Sequence, residues 1–176
     1  MSVCVVSFSS RKNGNCSKIG KFISTMIPEV KHYDFSDFSL SACGQCNCQC
    51  FNDGSNCPFA ADKEREILDA ITNSAITYFI VPNYCDFPCS NFFVFNERSL
   101  CYFQNNEKLL NRYLQVPKKF IVVSNTNKEN FKAAFAYHCN DEPEILFLSA
   151  KKYGKTSIDG NLLTSEQVIA DLKNFM

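Results

Sequence analysis

Val3-Cys4-Val5-Val6-Ser7-Phe8, followed at once by Ser9-Ser10-Arg11-Lys12-Asn13-Gly14-Asn15-Cys16-Ser17, is the stretch that decides the fold. Its first part is an almost unbroken apolar run one strand long, as expected of a strand covered on both faces. Its second part is polar and holds a glycine. It leads into Ile19, Phe22, Ile23 and Met26, which recur at i, i+3, i+4 and i+7 and predict a helix over 15–27. In open α/β sheets, ligands sit beyond the carboxyl ends of strands. A helix N-terminus placed there offers free N–H groups and the positive end of a dipole. Ser and Asn side chains add donors, Arg11 adds charge, and Gly14 would let the backbone turn tightly. Chemically this is a cradle for a phosphate, although ordinary helix caps use the same residue types. The loop is neither G-x-G-x-x-G nor a Walker A sequence, which disfavours a dinucleotide fold and an NTPase.

Four further apolar runs follow, at 30–34, 75–81, 120–124 and 144–148. Helical periodicity falls between and after them, at 62–73, 92–103, 107–114, 130–138 and 165–176. Strands that alternate with helices predict a doubly wound parallel sheet with right-handed crossovers. The 176 residues suit one domain, 1–176, with no linker and no repeat. Two more polar loops lie at predicted strand ends. Pro82-Asn83-Tyr84-Cys85-Asp86 carries an aromatic that could wall a flat ligand or merely cap the core. Ser124-Asn125-Thr126 supplies hydrogen-bonding groups common to any turn.

Eighteen basic and eighteen acidic residues balance, with no run of one sign, so nothing electrostatic points to nucleic acid or to an anionic membrane. The first apolar run has no basic segment ahead of it and is too short for a signal peptide or a span, and no later stretch is long enough to cross a membrane. Eleven cysteines in a chain with strong apolar strands suggest a reducing cytoplasm rather than a secreted disulfide scaffold. Five of them crowd the segment 41–58, which is too polar for core and too long for an idle loop. Cys43, Cys46, Cys50 and Cys57, with Cys48 as an alternative third member, could hold a [4Fe–4S] cluster or zinc, or stay as free or redox-active thiols. Cys4, Cys101 and Cys139 lie in apolar patterns and are expected in the core. Cys89 is expected to pack. His32 and His138 are isolated in sequence and receive no role.

The first loop, Phe8 to Cys16, resembles the pattern G-S-x-R-K-x-G-N-T of the NADPH-dependent FMN reductase and iron–sulfur flavoprotein branch of the flavodoxin-like superfamily. Phe8 stands for the family glycine and Cys16 for its threonine. The stretch 82–98 is similar to that family's second motif, through Pro82, Tyr84, Phe95 and Arg98, with Glu97 for the usual aspartate. The resemblance spans about the whole chain. It implies a flavodoxin-like, five-stranded parallel sheet of order 2-1-3-4-5 between two helical layers, and FMN as cofactor. Ser9, Arg11, Asn13, Asn15, Cys16 and Ser17 would hold the phosphate. Pro82, Asn83, Tyr84, Cys85 and Asp86, with Ser124, Asn125 and Thr126, would hold the ring. It further implies NAD(P)H as electron donor and a small acceptor such as a quinone, a nitro or azo compound, or a ferric species. Because the helix after the second loop often joins a subunit interface in relatives, it also implies a homodimer or homotetramer. An electron carrier with an iron–sulfur cluster serving a redox protein, and a cofactor-free or zinc-stapled module keeping only the fold, are the alternatives. No protein acid or base is required for hydride acceptance, so no catalytic side chain is expected.

Overall fold

The first strand, β1 (Val3–Ser7), is buried at every position and pairs in parallel on both sides. Val3 faces Val30 of β2 (Val30–Asp34) in one register and Ile76 of β3 (Ile76–Tyr84) in the other. The computed structural model describes residues 2–44, 46, 49–53, 57–104, 106–124 and 128–176. Beyond β3 lie β5 (Lys118–Val123) and β6 (Glu144–Leu148), both parallel, so the main sheet runs β2-β1-β3-β5-β6. With the two-residue β4 (Phe87–Pro88) set aside, this is the expected five-stranded order. Strand β4 is the one strand the periodicity misses; it folds back antiparallel on the end of β3 through Tyr84 and Phe87.

Alternating residues of the central strands feed two separate cores, which is why helices cover both faces. Val3, Val5, Tyr78, Ile80, Ile121 and Val123 face α1 (Asn15–Met26) and α7 (Glu166–Phe175), through Ile19, Ile23, Val168 and Leu172. Cys4, Val6, Phe79, Val81, Phe120 and Val122 face the opposite way. There they meet α3 (Glu64–Thr72), α4 (Ser90–Phe103), α5 (Glu107–Gln115) and α6 (Lys128–Ala136) through Ile67, Ile71, Phe92, Phe95, Tyr113, Phe131 and Phe135. A further short helix, α2 (Gln49–Asp53), lies within the cysteine-rich segment, which the composition alone had marked as loop. No described helix is long and apolar enough to cross a membrane.

The second core is strongly aromatic. Phe8 is fully buried, its ring centroid 5.0 Å from Phe35, 5.4 Å from Phe79, 5.2 Å from Phe92 and 5.5 Å from Phe95. Offset and edge-on pairs of this kind add about 0.5–1.5 kcal/mol each beyond their buried area. A polar chain threads the same core. His138 Nδ1 lies 2.6 Å from Tyr113 Oη and its Nε2 lies 2.5 Å from Asn96 Oδ1, so the neutral Nε2–H tautomer satisfies both contacts. Burial, and then the nearby Lys118, push the His138 pKa down to about 3. Lys118 itself donates to the carbonyls of Tyr113 and Val116 and sits 4.2 Å from the Tyr113 ring, with burial lowering its pKa to about 8. The histidine that looks isolated in sequence is therefore a core connector.

On the other face, α1 approaches the sheet where it has no side chain to hold it off. A Cβ on Gly20 would come 2.5 Å from Ser7 Oγ and closer still to His32 Nε2. Gly20→Ala is expected to lower the melting temperature, at a cost of about 1–3 kcal/mol from overpacking in denaturant titrations. His138 gives a pH signature of known sign. Its folded pKa lies below its unfolded value of 6.5, so the unfolded chain binds the extra proton. The contribution of neutral His138 is complete above pH 6.5 and is lost as the pH falls from 6.5 towards 3, amounting to several kcal/mol at the low end. Thermal melts from pH 7 to 4 should fall more steeply for the native chain than for His138→Gln, whose amide does not titrate.

Candidate functional site

The carboxyl ends of β1, β3 and β5 meet the N-terminus of α1 around a cavity of about 60 Å3, walled on its remaining side by the segment after β6. Ser9, Arg11, Gly14, Asn15, Cys16, Pro82, Asn83, Tyr84 and Ser124 all line it. Asn13, Ser17, Cys85 and Asp86 do not line it, and Asn125 and Thr126 lie outside the described residues. Ser157 and Ile158, on the loop after β6, complete the wall. The topological rule that located the other loops points to this one as well, since it also leaves a strand's carboxyl end. Its Ser, Asp and Gly content was the available signal.

Each residue of the loop 8–17 has a definite local cause. Phe8 turns inward to the aromatic core, so its bulk stays out of the cavity. The tight turn is made at Asn13, whose φ is 57°, not at Gly14, whose φ of −70° and ψ of 175° are extended. Gly14 is needed for closeness instead: a Cβ there would stand 3.2 Å from Arg11 Cβ and from Arg11 O. Ser9 Oγ accepts from Arg11 N at 3.2 Å, closing a small local turn. Ser17 is directed elsewhere, because its hydroxyl donates to the carboxylate of Asp34 at the end of β2. Cys16 is buried against the cavity and burial raises its pKa far above the ordinary thiol value, so it presents a neutral thiol.

Three side chains of this loop region hold the wall after β6. Arg11 Nη2 donates to Ile158 O at 2.5 Å, Asn15 Nδ2 to Ser157 O at 2.8 Å, and Lys18 Nζ to Gly160 O at 2.6 Å. Asn15 Oδ1 also accepts from Leu162 N at 3.0 Å. Asn15 is thus a strut between the two loops. Gly160, at φ 64°, lets the strap pass close, since a Cβ there would lie 2.9 Å from Asn13 O.

Ring-side geometry comes from the hairpin between β3 and β4. Cys85 and Asp86 both have positive φ, 52° and 65°, forming a two-residue turn that lifts Tyr84 to 54% exposure beside the cavity mouth. Cys85 and Asp86 occupy the exposed tip rather than the cavity wall. Ser124 has φ 101°, a strained value for a residue with a side chain, at the end of β5. Asn91 Nδ2 bonds Phe8 O at 2.8 Å and Ser10 Oγ at 2.9 Å, tying the start of α4 to the anion loop.

The cysteine-rich segment is held separately. Arg98 of α4 is 3% exposed. It donates to Ser41 O at 2.7 Å, to Asp62 at 2.7 Å and to Phe59 O at 3.4 Å, and its Nε lies 3.0 Å from Glu64 Oε2. Of the expected ligand set, Cys43 is exposed, Cys46 and Cys57 are half-buried and Cys50 is buried, while Cys48 lies outside the described residues. Among the described residues no group of three or more His, Cys, Asp or Glu is arranged to hold a metal ion, so the [4Fe–4S] and zinc readings gain no support. Cys4, Cys89 and Cys101 are buried as expected, and Cys139 is half-buried.

No protein-family model matches the chain, and no curated protein matches it. Solved structures do. The Trp repressor binding protein from Bacillus subtilis superposes with a TM-score of 0.66 at 12% identity, over 99% of this chain and 97% of that one. An NADH:FMN oxidoreductase, EmoB, in its apo form, superposes with a TM-score of 0.52 at 9% identity, over 99% of this chain and 87% of that one. At such identities the likeness concerns architecture, and together with the strand order it gives this chain a flavodoxin-like fold.

Proposed function

We propose that the chain binds FMN and works as an NAD(P)H-dependent oxidoreductase that reduces a small acceptor such as a quinone, a nitro or azo compound, or a ferric species. The observation that carries this reading is the single cavity in which the N-terminus of the twelve-residue α1, Ser9 and Arg11 meet the exposed ring of Tyr84. The residues present fit the cofactor in two parts. A volume of about 60 Å3 next to a helix N-terminus and a guanidinium suits a phosphate group and not a three-ring system. The flat part would lie outside the cavity, along Tyr84, Asn83 and Ser124. One of the fold neighbours, EmoB, is an NADH:FMN oxidoreductase, which agrees with the assignment.

Ser9, Arg11, Cys16 and the first backbone N–H groups of α1 would bind the phosphate. Asn15 acts at one remove, by fixing the strap that closes the cavity. Pro82, Asn83, Tyr84 and Ser124 would orient the ring. Bound FMN would supply hydride acceptance from the nicotinamide and its delivery to the acceptor, for which no protein acid or base is needed. The partner on this reading is a small acceptor or a redox protein. A second copy of the chain would cover Phe93, Leu100 and Tyr137, which are 43%, 45% and 64% exposed around one groove beside α4. A reducing cytoplasm agrees with the number of free thiols.

Purified chain should quench FMN fluorescence on titration, and Arg11→Ala should weaken binding about tenfold, as loss of a charge-assisted hydrogen bond implies. A chain that stays colourless and takes up no FMN would sink the proposal and leave the fold intact. With flavin bound, steady-state NAD(P)H oxidation with quinone or ferric acceptors identifies a reductase, whereas a reducible flavin without turnover identifies an electron carrier. The association reading has its own test: light scattering should give a dimer or tetramer for the native chain and a monomer for Phe93→Glu/Leu100→Glu.

A further inference from the structure

Three cysteines from two parts of the chain come together where the segment 41–58 meets α4. The Cys101 thiol, on α4, lies close enough to Cys50 and Cys57 for both to push its pKa up, after burial. Cys57 and Cys101 also line one narrow cleft together with Glu64, Arg65, Arg98 and Tyr102. The cleft holds about 10 Å3, room for one molecule of water's size. Cys50 does not line it and is 6% exposed, Cys101 is 7% exposed, and Cys57 is half-buried. The thiol reached first from outside is therefore Cys57, with Cys101 directly behind it.

We infer that Cys57 and Cys101 form a peroxide-sensitive thiol pair that closes to an intramolecular disulfide. The oxidant class follows from access, since hydrogen peroxide is a small two-electron oxidant able to reach the half-buried Cys57 where a bulky molecular disulfide is not. The Cys57 sulfur attacks one peroxide oxygen as the O–O bond breaks. The departing hydroxide takes the thiol proton and leaves as water, and Cys57 becomes a sulfenic acid. The Cys101 sulfur then attacks the Cys57 sulfur, the S–O bond breaks, and the second water carries off the Cys101 proton. Two thiols and one peroxide give one disulfide and two waters, the sulfurs losing the two electrons that the peroxide gains. Glu64, Arg65 and Arg98 line the cleft beside this pair, Arg98 being paired with Asp62 and Glu64, and burial raises the Cys101 thiol to about 12. The exchange is thus slower than at a thiol made for peroxide reduction. The bond would lock the cysteine-rich segment onto α4, the helix that starts directly after the β3–β4 hairpin. This inference does not depend on the flavin reading.

The test uses full-length, pre-reduced chain treated with hydrogen peroxide and then alkylated, with intact mass and peptide mapping. The expected result is two fewer alkylated thiols of eleven and a linked peptide pair containing Cys57 and Cys101. Cys50→Ser should keep that link. Cys101→Ser should leave a Cys57 sulfenic acid that dimedone traps, and Cys57→Ser should abolish the bond. All eleven thiols remaining alkylatable, a bond between other partners, or stoichiometric zinc or iron in the purified chain would overturn the inference. Mapping of the native chain decides the matter alone if a serine variant does not fold.

Discussion

Burial of Phe8 at the end of β1 is the constraint on which the rest of the site depends. Its ring is enclosed by Phe35, Phe79, Phe92 and Phe95, so the ends of β1 and β2, the middle of β3 and the first turns of α4 share one aromatic contact. Its backbone is equally committed. Phe8 N donates to Ile80 O, and Phe8 O accepts from Asn91 Nδ2 and from Cys89 Sγ. The next residue, Ser9, is already in the cavity wall. The loop 9–17 and the start of α4 after the β3–β4 hairpin therefore hang from one packed residue, and their spacing is set by core packing rather than by the loops themselves. Interiors close-packed to crystal density hold such spacing well.

A second fixed point is Arg98, the cation that belongs to the second motif. A guanidinium with planar, directional donors can serve two carboxylates and two backbone carbonyls at once, which an ammonium group cannot. Here it joins Ser41, at the start of the cysteine-rich segment, to Phe59 and Asp62, just past its end. The two flanks of the segment are thus tied together by one buried guanidinium. Burial and the Arg98 charge act in opposite directions on Glu64, and burial prevails, which raises its pKa.

The fold was readable because the central strands carry unbroken apolar runs and the helices are periodic, two signals that loops do not imitate. What escaped was local. The β3–β4 hairpin turns on Cys85 and Asp86, which lack the Asn-Gly or Asp-Gly pair that marks such turns, yet both residues take positive φ. Gly14 looked like the turning residue, and Asn13 performs the turn instead, asparagine being tolerant of the left-handed region. Ser17 looked like a ligand-facing hydroxyl until Asp34, brought close by β-sheet pairing, claimed it. Cys101 reads as a core residue in a helical pattern, and only the folded chain sets it against Cys50 and Cys57. For Ser17 and Cys101 the missing information was a partner distant in sequence.

The same distance governs when the cavity can exist at all. Arg11 finds its carbonyl partner 147 residues downstream, and Asn15 and Lys18 find theirs 142 residues downstream. During synthesis the loop 9–17 leaves the ribosome well before the segment that walls it. Contacts this far apart close late, because the intervening chain must be ordered before they hold. A nascent chain would carry the strand, the loop and the helix of the cradle, but no strap across it. Any ligand that needs the enclosed cavity would then be excluded until β6 and the segment after it had docked.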